Sequence, residues 1–118
     1  MSEIRANTIS DAAGTGPVTL TGQYAAKAWV NFNGTSTVAI RESGNVSSIT
    51  DGGTGIYTVN FTTALTDANY ATVATAGDSG RYLVTAPTLA TSSVGLVLVQ
   101  SSTGGALDTQ ALQVAAFR

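Results

Sequence analysis

The chain has 118 residues, a formal charge of −2, 43% hydrophobic residues and 10% charged ones, where a typical globular domain carries about 25% charged. Its length allows one domain with a modest core, and Thr and Ser, about a quarter of the chain, supply polarity in a form that suits strands and turns. With no Cys and no His there is no thiol nucleophile, imidazole base, disulfide or Cys/His zinc site, and seven acids against five bases leave no footprint for nucleic acid or an anionic membrane.

Residues 1–24 read apart from the rest. The opening MSEIRANTIS lacks the basic-then-apolar plan of a secretory signal, and no apolar run approaches the roughly 20 residues of a membrane span. A soluble, leaderless chain without membrane insertion is therefore expected. Ile4, Ile9, Val18 and Leu20 are isolated apolar residues, interrupted by Gly14-Thr15-Gly16-Pro17. One copy has too little hydrophobic surface here to fold alone. The segment is either a loose tail or an element that orders when several chains pool these residues.

Residues 25–118 form a run of short strand signals. Residues 27–32 (KAWVNF) stop at Asn33-Gly34, a dipeptide suited to a tight hairpin, and 37–41 (TVAIR) follow with Val38 and Ile40 on one face. Residues 46–50 lead to Asp51-Gly52-Gly53, the strongest turn signal. Residues 56–62 (IYTVNFT) then alternate cleanly, with Tyr57, Val59 and Phe61 sharing one side. Residues 69–75 (NYATVAT) end at Gly77-Asp78-Ser79-Gly80, and 81–85 (RYLVT) reach Ala86-Pro87. Residues 94–100 are apolar enough for a strand covered on both faces, and 111–117 (ALQVAAF) close the chain as a docked strand. Residues 64–71 have room for one helical turn. Seven or eight short strands at this spacing predict an all-β antiparallel sandwich or barrel.

Catalytic and metal motifs are weak. Asp51-Gly52-Gly53-Thr54-Gly55 precedes an alternating strand, so it reads as a hairpin turn and not as a phosphate loop, which needs a following helix. The acids Glu3, Asp11, Glu42, Asp51, Asp67, Asp78 and Asp108 mostly sit beside Gly, Ser or Thr, where Asp bonds its own backbone. Asp78 and Asp108 lack the spaced run of acids that a calcium loop needs. Lys27 is the only lysine and sits in a strand, so no serine nucleophile has a base. The expectation is no enzyme, no cofactor and no metal. The sequons at Asn33, Asn45 and Asn60 follow from composition. Trp29, Tyr57 and Phe61 are expected in the core, whereas Tyr82 and Arg81, beside a small polar loop, suit contact with a sugar or protein.

Three motifs stand in order: KAWVNFNGT at 27–35, VSSITD at 46–51 and YTVNFTTA at 57–64. Together they resemble a module near the C-terminus of tail-fibre proteins of tailed bacteriophages. The likeness covers residues 27–76 and continues more loosely to VAAFR at 114–118. The opening IRANTISD at 4–11 is similar to stem segments preceding such modules, especially in phages of aquatic bacteria such as cyanophages.

The resemblance implies a homotrimeric, non-catalytic virion component, made in the host cytoplasm, that attaches to the host cell surface. It implies a β-sandwich head (25–118) on a short intertwined N-terminal stem (1–24), with Ile4, Ile9, Val18 and Leu20 pooled in the trimer. The stem would also join other virion proteins. Receptor contacts, to surface polysaccharide or an outer-membrane component, are expected in three loops, at Asn33 and Thr35, at Asp78, Arg81 and Tyr82, and at Thr103. The alternatives are a virion decoration or connector protein with a purely structural role, and a polysaccharide-cleaving fibre, which would need two carboxylates in a cleft.

Overall fold

The computed structural model describes residues 2–10, 12–14, 21–77 and 82–118. Eight strands run in chain order: β1 (Ala26–Asn33), β2 (Ala39–Gly44), β3 (Val46–Gly53), β4 (Ile56–Phe61), β5 (Ala71–Ala76), β6 (Tyr82–Ala90), β7 (Ser93–Gln100) and β8 (Leu112–Phe117). They pair antiparallel into two sheets of four, ordered β2-β1-β8-β5 and β3-β4-β7-β6. This is the expected all-β sandwich. Residues 64–71 form no helical turn, and no helix occurs among the described residues.

Period-two alternation builds the core. Ala28, Val30 and Phe32 of β1 and Leu112, Val114 and Ala116 of β8 face Tyr57, Val59 and Phe61 of β4 and Val94 and Leu96 of β7. Burying each large side chain contributes about 1.5–3 kcal/mol. β8 lies inside its sheet, paired to β1 on one side and β5 on the other, which docks the closing strand. β7 differs from expectation: Val94, Leu96 and Leu98 are buried, but Val97 and Val99 only half-buried. The outer face of its sheet is open, so two-sided cover is not achieved.

Two turns sit differently from their sequence signals. β3 continues through Asp51-Gly52-Gly53 with a register shift, and the reversal falls at Thr54-Gly55. Asn33-Gly34 is not a two-residue hairpin either. Residues 34–38 connect β1 to β2, and Ser36, not Gly34, adopts the left-handed conformation (φ 58°).

The first crossing between the sheets takes a single residue. Asn45 alone separates β2 from β3, in the left-handed region (φ 55°) that Asn tolerates better than most residues. Its Nδ2 donates to the carbonyls of Lys27 and Thr63, each at 3.0 Å, and its Oδ1 accepts from Thr63 N–H at 2.8 Å. Asn45→Ala, which loses these bonds and strains the corner, should destabilise by about 2 kcal/mol in chemical denaturation. Asn45→Gly restores the conformation without the bonds and should cost less. Equal costs would contradict the conformational part.

Near the same corner, Arg118 pairs with Asp67 through Nε–Oδ1 at 3.0 Å and Nη2–Oδ2 at 2.5 Å. The Arg118 guanidinium first, and the Asn69 N–H second, hold the Asp67 carboxyl below the usual carboxylate range. The pair's contribution is therefore present above the unfolded value of 3.8 and lost as pH falls through the lower folded value. An NMR titration should show the Asn69 amide, which donates to Asp67, shifting only below the unfolded value of 3.8. In Asp67→Asn the transition should vanish. Persistence of the shift in that variant would break the assignment.

Candidate functional site

Strand direction sorts the connections onto two ends. β1, β3, β5 and β7 finish, and β2, β4, β6 and β8 start, at one end, so the 34–38, 54–55 and 101–111 loops gather there, together with Gly77 and Tyr82. The N-terminal segment joins β1 at the opposite end, where Phe117 finishes β8. The loops at Asn33/Thr35, at Gly77/Tyr82 and at Thr103 are thus brought to a single loop end, away from the termini. Asp78 and Arg81 lie outside the described residues.

A buried tyrosine organises this end. Tyr57 is on the inner face of β4, in edge-to-face contact with Phe32 (centroids 5.3 Å apart, planes at 75°). Its hydroxyl donates to Asp108 Oδ1 at 2.6 Å, with the Gly34 carbonyl oxygen 3.1 Å away. The same carboxylate oxygen accepts the Gly55 N–H at 2.8 Å. Gly34 N–H donates to the Thr109 carbonyl at 2.9 Å, and Leu98 N–H to that of Gly55 at 2.7 Å. One phenol and one carboxylate therefore tie three connections together. Gly34 is glycine because a Cβ there would collide with the Tyr57 hydroxyl. Burial first, and the Asp108 carboxylate next, push the Tyr57 hydroxyl far above the ordinary phenol range, so it remains a donor.

No protein-family model, curated protein or solved structure matches this chain. The chemistry of the site thus rests on its own residues.

The predicted contact residues have visible local roles. Asn33 Oδ1 accepts from Thr35 N–H (3.1 Å) and Thr35 Oγ1 (2.8 Å), so the two shape one loop. Thr103 Oγ1 donates to Gln100 Oε1 at 3.1 Å and accepts from Gly105 N–H at 3.2 Å, in an exposed turn. Tyr82 pairs with Gln100 and so neighbours that turn, half-buried on the side of β6 that also carries the core-packed Val84. Ile4 and Ile9 are 90% and 68% exposed, while Val18 and Leu20 lie outside the described residues.

Three of the acids serve as hydrogen-bond acceptors, two within their own turns and Asp108 across the fold. Asp51 Oδ1 accepts from Gly53 N–H at 2.9 Å, Asp67 from Asn69 N–H at 2.8 Å, and Asp108 serves Gly55 and Tyr57. Among the described residues no three of His, Cys, Asp and Glu gather as metal ligands. The amide nitrogens of the sequon residues Asn45 and Asn60 already donate, Asn60 to Ser48 and Thr50 hydroxyls.

Trp29 corrects the sequence reading. Tyr57 and Phe61 are core, but Trp29 is 42% exposed on the outer face of the first sheet. It shares strand parity with Asn31 and opposes the buried Val30 and Phe32. That parity was the available signal, and the hydrophobic character of indole obscured it.

Proposed function

We propose that this chain is a non-catalytic adhesive head of a homotrimeric bacteriophage tail fibre, carried on its N-terminal segment and contacting the host surface with its loop end. The observation that supports this most is polarity: the candidate contact loops at Asn33, Thr35, Tyr82 and Thr103 emerge at one end, and the segment that would join the virion enters at the other. Ile4 and Ile9 also gain no cover from their own head, as a shared stem requires. Three weak sites on one particle gain avidity for a repetitive surface without a strong single contact. Low charge with many Thr, Ser and Asn suits hydrogen bonding to polysaccharide.

The test is binding of the labelled full chain to bacterial cells and their purified surface polysaccharide. Saturable binding is expected, reduced roughly tenfold or more when Thr35, Tyr82 and Thr103 are replaced together by alanine. A reducing-sugar assay on the same polysaccharide should stay flat. Binding that ignores the triple variant would remove the loop end from the mechanism.

A structural connector is the second reading, favoured by Ile56, Val97, Val99 and Leu83, which form an apolar patch on the outer face of the second sheet. A connector should bind neither cells nor polysaccharide.

A further inference from the structure

The outer face of the first sheet carries two adjoining rows. Register aligns Gly44, Trp29, Ala115 and Val73 across β2, β1, β8 and β5, and two residues further along the strands aligns Glu42, Asn31, Gln113 and Thr75. One row is apolar, the other polar, and rows two residues apart are separated by about 7 Å. Between Trp29 and Val73, 57% exposed, the small Ala115 leaves a groove of ≈ 390 Å³. The indole leans across to the edge strand and covers Gly44, where any Cβ would collide with its Nε1 and Cδ1. Trp29 is thereby held as one wall of the groove instead of folding over it.

We propose that this groove binds a neutral, hydroxyl-rich saccharide, stacked on Trp29 and hydrogen-bonded along the Asn31, Gln113 and Thr75 row. A sugar ring offers a C–H face to the indole and hydroxyls at its rim, which matches an apolar row beside a polar one. Trp29, Asn31, Val73, Thr75, Gln113 and Ala115, which line the groove, are not ionisable, and the charged groups at its β2 edge, Glu42 and the Arg41 that bonds Asn31, are of opposite sign, which fits a neutral ligand better than a charged peptide or anionic polymer. Thr75 Oγ1 donates to Gln113 Oε1 at 3.0 Å and Arg41 Nη1 to Asn31 Oδ1 at 3.3 Å, orienting both amides. The amide nitrogens of Asn31 and Gln113 then have no acceptor among the described residues. An apolar protein surface laid here would leave these donors buried without partners, at about 1–3 kcal/mol each. Saccharide hydroxyls supply acceptors. The site is separate from the loop end and rests on the adhesive reading only for where such a saccharide is met.

Trp29 is the chain's single tryptophan, so its emission reports the groove directly. The full chain is titrated with neutral gluco-, galacto- and manno-oligosaccharides and with acidic polygalacturonate, and the same ligands are arrayed for binding. At least one neutral class should shift Trp29 emission saturably. Gln113→Ala, which keeps the reporter, should weaken that titration roughly tenfold, and Trp29→Ala should weaken array binding as much. Trp29→Phe should recover part of it, separating stacking from cover of Gly44. Thr58→Ala, on the outer face of the second sheet, should change neither. Array binding indifferent to Trp29→Ala and Gln113→Ala overturns the groove but leaves adhesion through the loop end intact. Cell binding without any saccharide binding does the same. Emission that depends on protein concentration without sugar means that a second copy covers the face, and also overturns the proposal. Binding confined to polygalacturonate overturns the neutral class.

Discussion

An Asp108→Ala chain is expected to lose about 3 kcal/mol of folding stability, with a fall in Tm on the order of 10 °C. The magnitude follows from what the carboxylate serves. Its Oδ1 accepts from both Tyr57 hydroxyl and Gly55 N–H, and alanine leaves the Gly55 N–H without this acceptor and the Tyr57 hydroxyl with only the Gly34 carbonyl oxygen at 3.1 Å. Bonds to a charged group contribute about 1.5–3 kcal/mol each, and loss of the acceptor also costs the desolvation of the donors. Asp108→Asn keeps an oxygen at the same position and should cost about half as much. Amide exchange should quicken first in residues 101–111, the loop that Asp108 fastens. A loss below about 1 kcal/mol would mean that water replaces the carboxylate and that the loop end is held by its backbone bonds alone.

The phenol on the other side of this bond adds a pH dependence. The folded Tyr57 hydroxyl titrates far above the unfolded value of 10.0, through burial and then the Asp108 bond. Its contribution is complete below that unfolded value and is lost as pH rises beyond it toward the folded one. Stability should thus fall on the alkaline side, and Tyr57→Phe should flatten part of that fall. Tyr70 adds a similar but separate slope. Burial raises its hydroxyl too, and it bonds the Ala90 and Ser93 carbonyls at the terminal end.

Removing residues 1–22 should abolish trimerisation while leaving the head folded, and should weaken binding to a repetitive surface roughly a hundredfold. No described residue of this segment belongs to the head's core. That core runs from Ala28 to Ala116, and every described residue of 2–10 is exposed. Each buried isoleucine is worth about 1.5–3 kcal/mol, so Ile4 and Ile9 from three chains supply on the order of 10 kcal/mol. That only offsets the cost of association, so a micromolar trimer needs apolar cover beyond these two positions. Thermal unfolding of the truncated head should match that of the full chain within about 1 kcal/mol. A truncated head that is still trimeric would move the shared interface to the sheet faces.

How far the sequence discloses this molecule depends on the range of each signal. β4 is plain because Tyr57, Val59 and Phe61 alternate with Thr58 and Asn60, and that period is local. The sandwich class follows from strand number and spacing. Sheet order is not local: β8 pairs with β1 across more than eighty residues, and nothing in either strand names its partner. The Tyr57–Asp108 bond spans 51 positions and was invisible for the same reason, so Asp108 read only as a turn former. Gly34 shows a different limit. Its sequence signal is turn geometry, but the residue is small to admit a tyrosine from the other sheet. For Trp29, alternation placed it outside and hydrophobicity placed it inside, and alternation was right.

The most direct test is the mass of the full chain by light scattering at micromolar concentration. Three times the 11.9 kDa chain mass is the predicted result, falling to one chain mass when residues 1–22 are removed. A full chain that scatters as a monomer would contradict the shared stem, and with it the trivalent adhesion proposed for the head.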